Sequence, residues 1–168
     1  MNIFNAYKYC PLCGGSVTGE KNIRKCSKCN KTRFINPTPA TGAIIIKDRK
    51  FLLTKRAFEP EIGTWDIPGG FLEPDETFEN GITREIHEEL GVSTIRIKYF
   101  NSAVDHYIYD GIDDSIVVIN FLVCLDSYDF KPSDDISEAK FFSIEEMPFR
   151  EIKFPSVSST IKDYYSKN

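Results

Sequence analysis

The chain has 168 residues, of which 41% are apolar and 27% are charged, and its formal net charge is −4. This length holds one ordinary domain and a small additional module, and the composition is typical of a soluble globular protein. No stretch approaches the roughly 20 consecutive apolar residues of a membrane span, and no secretory signal pattern begins the chain. We therefore expect a cytoplasmic protein with no membrane partner.

Four of the five cysteines lie in two C-x2-C pairs near the N-terminus. The pairs are Cys10/Cys13 and Cys26/Cys29. Their spacing is close to that of a four-cysteine zinc site. Gly14 and Asn30 follow the two pairs, and both residue types tolerate the positive φ that lets backbone N–H groups fold around thiolates. Because residues 1–36 have few large apolar side chains, we expect a structural Zn²⁺ to hold them as a zinc ribbon.

Disulfide bonds or a redox-active C-x2-C pair are the alternatives to a zinc site, and the lack of an export signal favours zinc. Residues 1–36 contain seven lysines and arginines against one acid, a net charge of +6, while the remainder carries −10. Such a basic module is suited to attract nucleic acid, to dock on the acidic remainder or to steer anionic substrates. Nucleic acid is thus a possible partner that the charge alone does not favour over the other two roles.

The segment from Asn36 to Pro39 predicts an extended linker, because each proline restricts the residue before it. Residues 37–168 then form the second predicted domain. Its first predicted elements are a strand at 41–47, a turn at 48–50, a strand at 51–56 and a short strand at 65–67. Trp65 is expected in the core, and Pro68-Gly69-Gly70 is expected to form a tight turn.

A helix is predicted from Thr77 to Leu90, where apolar residues recur at every fourth position and Gly91 is suited to end the helix. Glu85, Glu88 and Glu89 have the spacing that places carboxylates together on one helical face. A solvated acidic face is one interpretation of this cluster. The other is a site for a hard divalent cation, since Mg²⁺ is held by a few carboxylates together with substrate phosphates.

The stretch from Gly70 to Val92 resembles the Nudix box, Gly-x5-Glu-x7-Arg-Glu-(apolar)-x-Glu-Glu-x-Gly-(apolar). Every fixed position is filled, by Gly70, Glu76, Arg84, Glu85, Ile86, Glu88, Glu89, Gly91 and Val92. The resemblance implies an α+β fold for residues 37–168, an α/β/α sandwich with a mixed sheet. It also implies a metal-dependent hydrolase that cleaves the diphosphate of a nucleoside-linked compound.

The same resemblance implies roles for individual residues. Catalytic Mg²⁺ or Mn²⁺ is expected on Glu85, Glu88 and Glu89, with the carbonyl of Gly69 assisting. Arg84 and Glu76 are expected to pair and to orient these carboxylates, and His87 is expected to face solvent.

The general base is either a glutamate of the box or an acidic residue on a later loop. That loop carries Asp134, Asp135 and Glu138. Asp135 is the first choice for an additional ligand or base and Glu138 the second. An acidic surface loop without a catalytic role is the alternative.

After the box, β-branched and aromatic residues predict further strands, and Asp110-Gly111 is typical of a hairpin turn. The predicted elements are strands at 94–109, 115–125 and 140–143, a helical turn at 144–147 and a helix at 156–165. Cys124 is expected to be a buried small hydrophobe. Tyr107 and Tyr109 are candidates for stacking a substrate base, and surface tyrosines on a strand are the alternative.

A zinc ribbon before a Nudix domain is similar to two enzyme groups, the NADH pyrophosphatases and a group acting on ADP-ribose or FAD. The NADH group carries a Ser-Gln-Pro-Trp-Pro-Phe-Pro array, which is absent because no proline lies between Pro74 and Pro132. The same gap removes the downstream proline often seen in ADP-ribose enzymes. The segment at 142–149 and the helix after it resemble the ADP-ribose/FAD group, so we expect such a dinucleotide to be cleaved to AMP.

Other functions remain open at this point. The substrate alternatives are NADH, NAD-capped RNA, diadenosine polyphosphates and nucleoside triphosphates. A non-catalytic Nudix regulator that binds nucleic acid is the alternative from another class, although such regulators often have a degraded box. A homodimer is expected only at the level of the family.

Overall fold

A computed structural model describes residues 1–133 and 135–167, so Asp134 of the predicted acidic loop lies outside the described residues. The chain divides into two compact units. The first consists of Met1–Thr38 and His106–Ile116, and the second of Pro39–Asp105 and Val117–Asn168. Within the described part of the chain, every helix is too short or too polar to span a lipid bilayer.

The first unit is built on a small antiparallel sheet. It contains α1 (Ile3–Ala6), β1 (Val17–Thr18), β2 (Ile23–Cys26) and β3 (Thr32–Phe34), with the strands in the order β1-β2-β3. Arg24 is buried, and its guanidinium donates to the carbonyls of Phe4, at 2.6 Å, and Lys21, at 2.9 Å. This side chain therefore ties α1 to the sheet.

A long hairpin joins the two units along the chain. Its strands are β9 (Thr94–Tyr109) and β10 (Ile112–Leu125), so the turn consists of Asp110 and Gly111, and β10 begins three residues before the predicted strand at 115–125. Asp110 and Gly111 both have positive φ, 49° and 76°, as a type I′ turn requires. In the first unit, His106 Nδ1 lies 2.8 Å from an Asp113 carboxylate oxygen, across this hairpin.

The second unit contains two sheets and two helices, which confirms the predicted α+β class. The remaining strands are β4 (Thr38–Ile44), β5 (Ile46–Lys47), β6 (Lys50–Arg56), β7 (Trp65–Asp66), β8 (Gly69–Phe71) and β11 (Ile136–Phe142). One sheet has the order β8-β4-β10-β9, and the other has the order β11-β6-β5, with β7 paired to β6. The helices are α2 (Phe78–Leu90) and α3 (Pro155–Lys167).

Two local predictions were wrong. Gly69 and Gly70 form a strand rather than a tight turn, because they pair with Gly42 and Thr41 of β4. The turn between β5 and β6 has only two residues, Asp48 and Arg49, both at positive φ. At 144–147 the predicted single turn is present, since Met147 N–H donates to the Ile144 carbonyl at 3.4 Å, and Pro148 follows it.

Buried side chains from α2, β4, β6 and β10 form the main core. Its fully buried members include Ala43, Leu52, Ile82, Ile86 and Leu90. Trp65 is buried as predicted and meets Phe142 edge to face, with 4.9 Å between ring centroids. Cys124 is exposed, which contradicts the prediction of a buried residue, because alternate side chains near the end of β10 face solvent.

A buried aspartate on β9 caps the N-terminus of the last helix. Asp105 accepts hydrogen bonds from the backbone N–H of Ser156, at 3.2 Å, and from its hydroxyl. The first N–H groups of a helix have no intrahelical partner, so this carboxylate supplies the cap from a distant strand. Thr160 of the same helix accepts a bond from Asn120 at 3.1 Å, and both side chains are buried.

Candidate active site

The helix α2 carries the acidic cluster, and its own sequence sets where it begins and ends. Thr77 caps the N-terminus by accepting from Asn80 N–H, and Gly91 ends the helix at a φ of 67°. The stripe of Ile82, Ile86 and Leu90 is fully buried and fixes the rotation of the helix. Consequently Glu85 and Glu89, one turn apart, lie on the inward side and are buried.

The two glycines of β8 let these carboxylates approach the sheet. Gly69 N–H donates to Glu89 Oε2 at 3.1 Å, and Gly69 has a φ of 143° that suits only glycine. A Cβ on Gly70 would lie 2.5 Å from Glu85 Oε1. The first glycine of the box is therefore required here because a side chain would occupy the place of a carboxylate.

Arg84 joins three glutamates at the rim of the site. Its guanidinium makes two bonds to Glu76, at 3.0 and 2.9 Å, and one bond each to Glu85 and Glu88, at 2.9 Å. It also donates to the carbonyl of Phe71 at 3.1 Å. These bonds lower the pKa of Glu76 and raise that of Arg84. The arginine fixes the positions of Glu85 and Glu88 relative to β8.

Asp135 approaches Glu89 from the loop before β11. Both residues line one small depression, together with Thr54, Arg56, Asp66, Ile67, Gly69 and Ile136. The carbonyl of Asp135 accepts from Ala57 N–H at 2.8 Å, which holds the loop against the end of β6. Two elements distant in sequence thus place their carboxylates in the same depression.

Two residues of this depression were missed by sequence reasoning. Arg56 Nη1 lies 3.2 Å from Asp66 Oδ2, and Arg56 Nε donates to the carbonyl of Pro60 at 2.7 Å. No motif indicates either residue. The available signal was positional, since Asp66 lies three residues before Gly69 and an arginine near a diphosphate site is suited to bind phosphate.

The buried carboxylates have raised pKa values. Burial is the main cause for Glu89, whose pKa lies well above the ordinary value, and the charges of Asp135 and Glu85 raise it further. Burial also raises the pKa of Glu85, although Arg84 opposes the rise. Carboxylates that are buried and repel one another are stabilised by a bound cation, and their oxygens are the ligands that Mg²⁺ prefers. The residues therefore fit a divalent metal ion.

These carboxylates are less tightly gathered than the cysteines. Across residues 1–133 and 135–167, the four thiols form the one group of three or more His, Cys, Asp or Glu ligand atoms that lie within 4.8 Å of one another. The carboxylates repel one another as like charges. The guanidinium of Arg84 also lies between two of them, because it donates both to Glu85 and to Glu88, whose side chain is 45% exposed.

The remaining predicted residues lie elsewhere. Glu138 is exposed on β11, with its carboxylate 3.9 Å from Lys55 Nζ. His87 is exposed on α2, as predicted. Tyr107 and Tyr109 belong to the first unit, with their ring centroids 6.0 Å apart, whereas the acidic cluster belongs to the second. Their predicted role in base stacking stays a prediction.

The four-cysteine cluster lies in the first unit. Cys10 and Cys29 have their sulfurs 3.8 Å apart, and Cys13 and Cys26 have theirs 3.5 Å apart. These separations are close to the roughly 3.8 Å expected for thiolates arranged tetrahedrally about 2.3 Å from a central zinc ion. All five cysteines of the chain are free, so the disulfide alternative has no support in the structure.

The backbone turns around these sulfurs as the sequence predicts. Gly14 and Asn30 have φ values of 68° and 57°. The N–H groups of Cys29 and Lys28 point to Cys26 Sγ at 3.4 Å and lower the pKa of that thiol to about 6. The backbone therefore favours a thiolate at Cys26, the form that binds a soft metal ion, while the hydrogen bond to this sulfur raises the pKa of Cys13.

Comparison with protein families decides the classification. The model of the NUDIX domain matches residues 36–162 of the chain. The chain belongs to the Nudix family. The Nudix family expected from the box is thereby confirmed, as is the Nudix fold.

Individual relatives agree with this assignment. The ADP-ribose pyrophosphatase of Methanocaldococcus jannaschii is 34% identical over 152 residues, covering 89% of this chain and 86% of the relative. The NAD-capped RNA hydrolase NudC of Vibrio parahaemolyticus is 28% identical over 144 residues, covering 84% of this chain. The match covers only 53% of that relative, so this chain spans about half its length.

A solved structure extends the similarity over nearly the whole chain. The crystal structure of a NUDIX hydrolase from Nitrosomonas europaea matches with a TM-score of 0.70 and 30% identity. The match covers 96% of this chain and 92% of the other.

Proposed function

We propose that this Nudix protein hydrolyses the pyrophosphate bond of ADP-ribose or a similar dinucleotide such as FAD. The observation that carries the proposal is the depression beside β8, where the buried carboxylates of Glu85 and Glu89 lie close enough to Asp135 for its charge to raise their pKa values. With ADP-ribose, water adds to one phosphorus, the bridging P–O bond breaks, and AMP and ribose 5-phosphate are released.

The residues of the box are proposed to have two roles, metal binding and positioning of the metal ligands. Glu85, Glu88 and Glu89 are proposed to hold Mg²⁺ or Mn²⁺, with the carbonyl of Gly69 as a further ligand. When bound, such an ion neutralises the diphosphate and lowers the pKa of water. Arg84 and Glu76 position the carboxylates, since Arg84 contacts both Glu85 and Glu88. The two hydrogen bonds from Arg84 to Glu76 hold the helix against the loop that precedes it.

Asp135 is proposed as the additional ligand or general base. It lines the same depression as Glu89 and Gly69 and is exposed, so water can reach its carboxylate. Glu138 is less suited, because it is not among the residues that line this depression and its carboxylate lies 3.9 Å from Lys55 Nζ. Of these two described residues, Asp135 is therefore the one that the geometry favours.

The choice of ADP-ribose rests on the relative that matches over most of its own length. The Methanocaldococcus jannaschii protein is named an ADP-ribose pyrophosphatase, and 86% of it is covered. Arg56 lines the depression from β6 and pairs with Asp66, and an arginine at this place suits an anionic diphosphate. Both observations favour a compact dinucleotide substrate.

NAD-capped RNA is the second candidate substrate. The relatives named NAD-capped RNA hydrolase support it, as does the net charge of +6 over residues 1–36. The missing proline array between Pro74 and Pro132 counts against it. In either case the four cysteines are proposed to bind a structural Zn²⁺, which would leave hydrolysis to the second unit.

A substrate panel tests the proposal. Purified protein with Mg²⁺ or Mn²⁺ would be incubated separately with ADP-ribose, FAD, NADH, a diadenosine polyphosphate and an NAD-capped RNA, and AMP or 5′-monophosphate ends would be quantified. We expect kcat/KM to be highest for ADP-ribose or FAD. A preference for capped RNA over both would replace the first substrate by the second, and no turnover of any compound would contradict hydrolysis.

A further inference from the structure

One face of the small sheet in the first unit is exposed. Side chains alternate along β2, where Arg24 and Cys26 are buried while Ile23 and Lys25 are exposed. Cross-strand partners share a face, so Phe34 lies beside Ile23 and Thr32 beside Lys25. We name these four residues the ribbon face.

Two apolar side chains lie next to each other at one end of this face. Ile23 is 44% exposed and Phe34 is 62% exposed. Neither contributes to the cysteine cluster, and such a pair of adjacent exposed apolar residues often marks an interaction site. A flat aromatic ring next to an aliphatic side chain provides a surface on which a base can stack.

The first 36 residues also carry a surplus of positive charge. Six lysines and arginines of the first 36 residues are exposed, and within residues 1–133 and 135–167 no described ion pair involves them. They are Lys8, Lys21, Lys25, Lys28, Lys31 and Arg33. Arg24 differs, because it is buried and donates to backbone carbonyls. The six cations are therefore available to an external anion, and Arg24 has a structural role.

We propose that the ribbon face binds single-stranded RNA. Phe34 and Ile23 stack against a base, and Lys25 with the neighbouring cations contacts phosphates. Alternation of apolar and cationic side chains matches a chain in which flat bases alternate with negative phosphates. The choice of RNA over DNA rests on the second candidate function, in which the substrate carries an RNA strand. Binding itself requires no hydrolysis.

A second copy of the chain is a poorer occupant of this face. Two ribbon faces brought together would place Lys25 and the surrounding cations of both copies against each other. Bringing like charges into contact costs free energy, whereas an anionic partner is attracted to them. Charge complementarity thus favours a polyanion with bases over a self-association surface.

Direct binding of a non-cleavable RNA tests the inference. The probe is a 12-nucleotide oligouridylate with a 5′-hydroxyl and a 3′-fluorophore, and fluorescence anisotropy with the full-length protein gives Kd between 50 and 200 mM salt. Phe34→Ala should weaken binding about tenfold, within the range for a lost base stack. Lys25→Ala should lower the slope of log K against log salt by about 0.7 for the lost phosphate contact.

A matched control uses a lysine and an aromatic residue that are exposed on β9 of the second unit. Lys98→Ala and Tyr99→Ala remove the same kinds of side chain and should leave Kd unchanged. Zinc content and AMP release from ADP-ribose should remain at wild-type levels in all four variants, which separates this inference from the proposed function. If the wild type hydrolyses ADP-ribose but does not bind the RNA, the inference about the ribbon face is refuted and the proposed function is not.

Three other outcomes would also overturn the inference. Equal weakening in the β9 variants would mean that binding is not located on the ribbon face. Equal affinity for the matching oligodeoxyuridylate would remove the assignment to RNA. A change of molar mass by light scattering for Phe34→Ala, with unchanged RNA binding, would show that the face contacts protein instead.

Discussion

At the scale of single residues, the depression beside β8 brings acidic side chains together with one arginine, Arg56. Asp66 shows the effect outside the Nudix box. Burial raises the pKa of Asp66 to about 6, although Arg56 opposes the rise. A carboxylate held in such a place costs the folded protein free energy when it is ionised. This cost is the physical basis for a site that favours a cationic ligand.

The raised pKa of Asp66 predicts a specific pH dependence of stability. A group whose pKa is higher in the folded state stabilises the fold below its unfolded pKa, and this stability is lost as pH rises through the folded value. Between about pH 4 and pH 6 to 7, the free energy of unfolding of the wild type should therefore fall by about 1–3 kcal/mol relative to Asp66→Asn.

Urea unfolding of both proteins at a series of pH values measures this difference. Glu85 and the thiols titrate in both proteins, so subtraction leaves the titration of Asp66 and its coupling to Glu89, whose pKa the charge of Asp66 raises. Parallel curves would mean that the pKa of Asp66 is not raised. A rise in wild-type stability relative to the variant with increasing pH would mean that Arg56 dominates over burial.

At the scale of elements, the sequence predicts those parts whose signals are local. The stripe from Phe78 to Leu90 with Gly91 after it determines α2 to within one residue. The Asp110-Gly111 turn is likewise local, since both positions require positive φ. The strand β8 was missed because glycines have no strand propensity, and only pairing with Thr41 and Gly42 makes them a strand.

The approach of Asp135 to Glu89 has a different origin. Forty-six positions of sequence and two strands, β9 and β10, separate the two residues, so no periodic pattern connects them. The contact depends on the position of the loop before β11, which is held by the hydrogen bond from Ala57 N–H to the Asp135 carbonyl. This hydrogen bond is a tertiary interaction. Sequence reasoning therefore found Asp135 as a candidate and could not find Arg56 or Asp66 beside it.

The paired cysteine turns are a local element with their own test. Cys26→Ser removes a thiolate that two N–H groups stabilise, so zinc content should drop from one per chain to near zero and the first unit should lose its fold. Cys124→Ser is the matched control, because Cys124 is exposed and lies outside the cluster. Elemental analysis of both variants measures the change.

Retention of one zinc per chain in Cys26→Ser would remove Cys26 from the ligand set. Loss of zinc in Cys124→Ser as well would indicate a general loss of structure instead of a lost ligand. Amide hydrogen exchange over residues 1–38 distinguishes these cases, since a folded ribbon protects the backbone of β2.

At the scale of the whole molecule, a basic module and an acidic hydrolase domain share one chain. The charges of +6 and −10 follow from composition alone, and the Nudix family follows from the box and the match over residues 36–162. Substrate identity does not follow from either. The chain is similar both to a relative named for ADP-ribose and to one named for NAD-capped RNA, at 34% and 28% identity.

The most direct measurement is the metal-dependent release of AMP from ADP-ribose by the wild type and by Glu89→Gln. Glu79→Gln, which removes an exposed carboxylate from the first turn of the same helix, is the control, and circular dichroism verifies the fold of each variant. We expect Glu89→Gln to lower kcat by at least about 100-fold, because a bound metal ion contributes several kcal/mol to the reaction, and Glu79→Gln to retain wild-type activity. Wild-type turnover by folded Glu89→Gln would contradict the assignment of this carboxylate cluster as the active site.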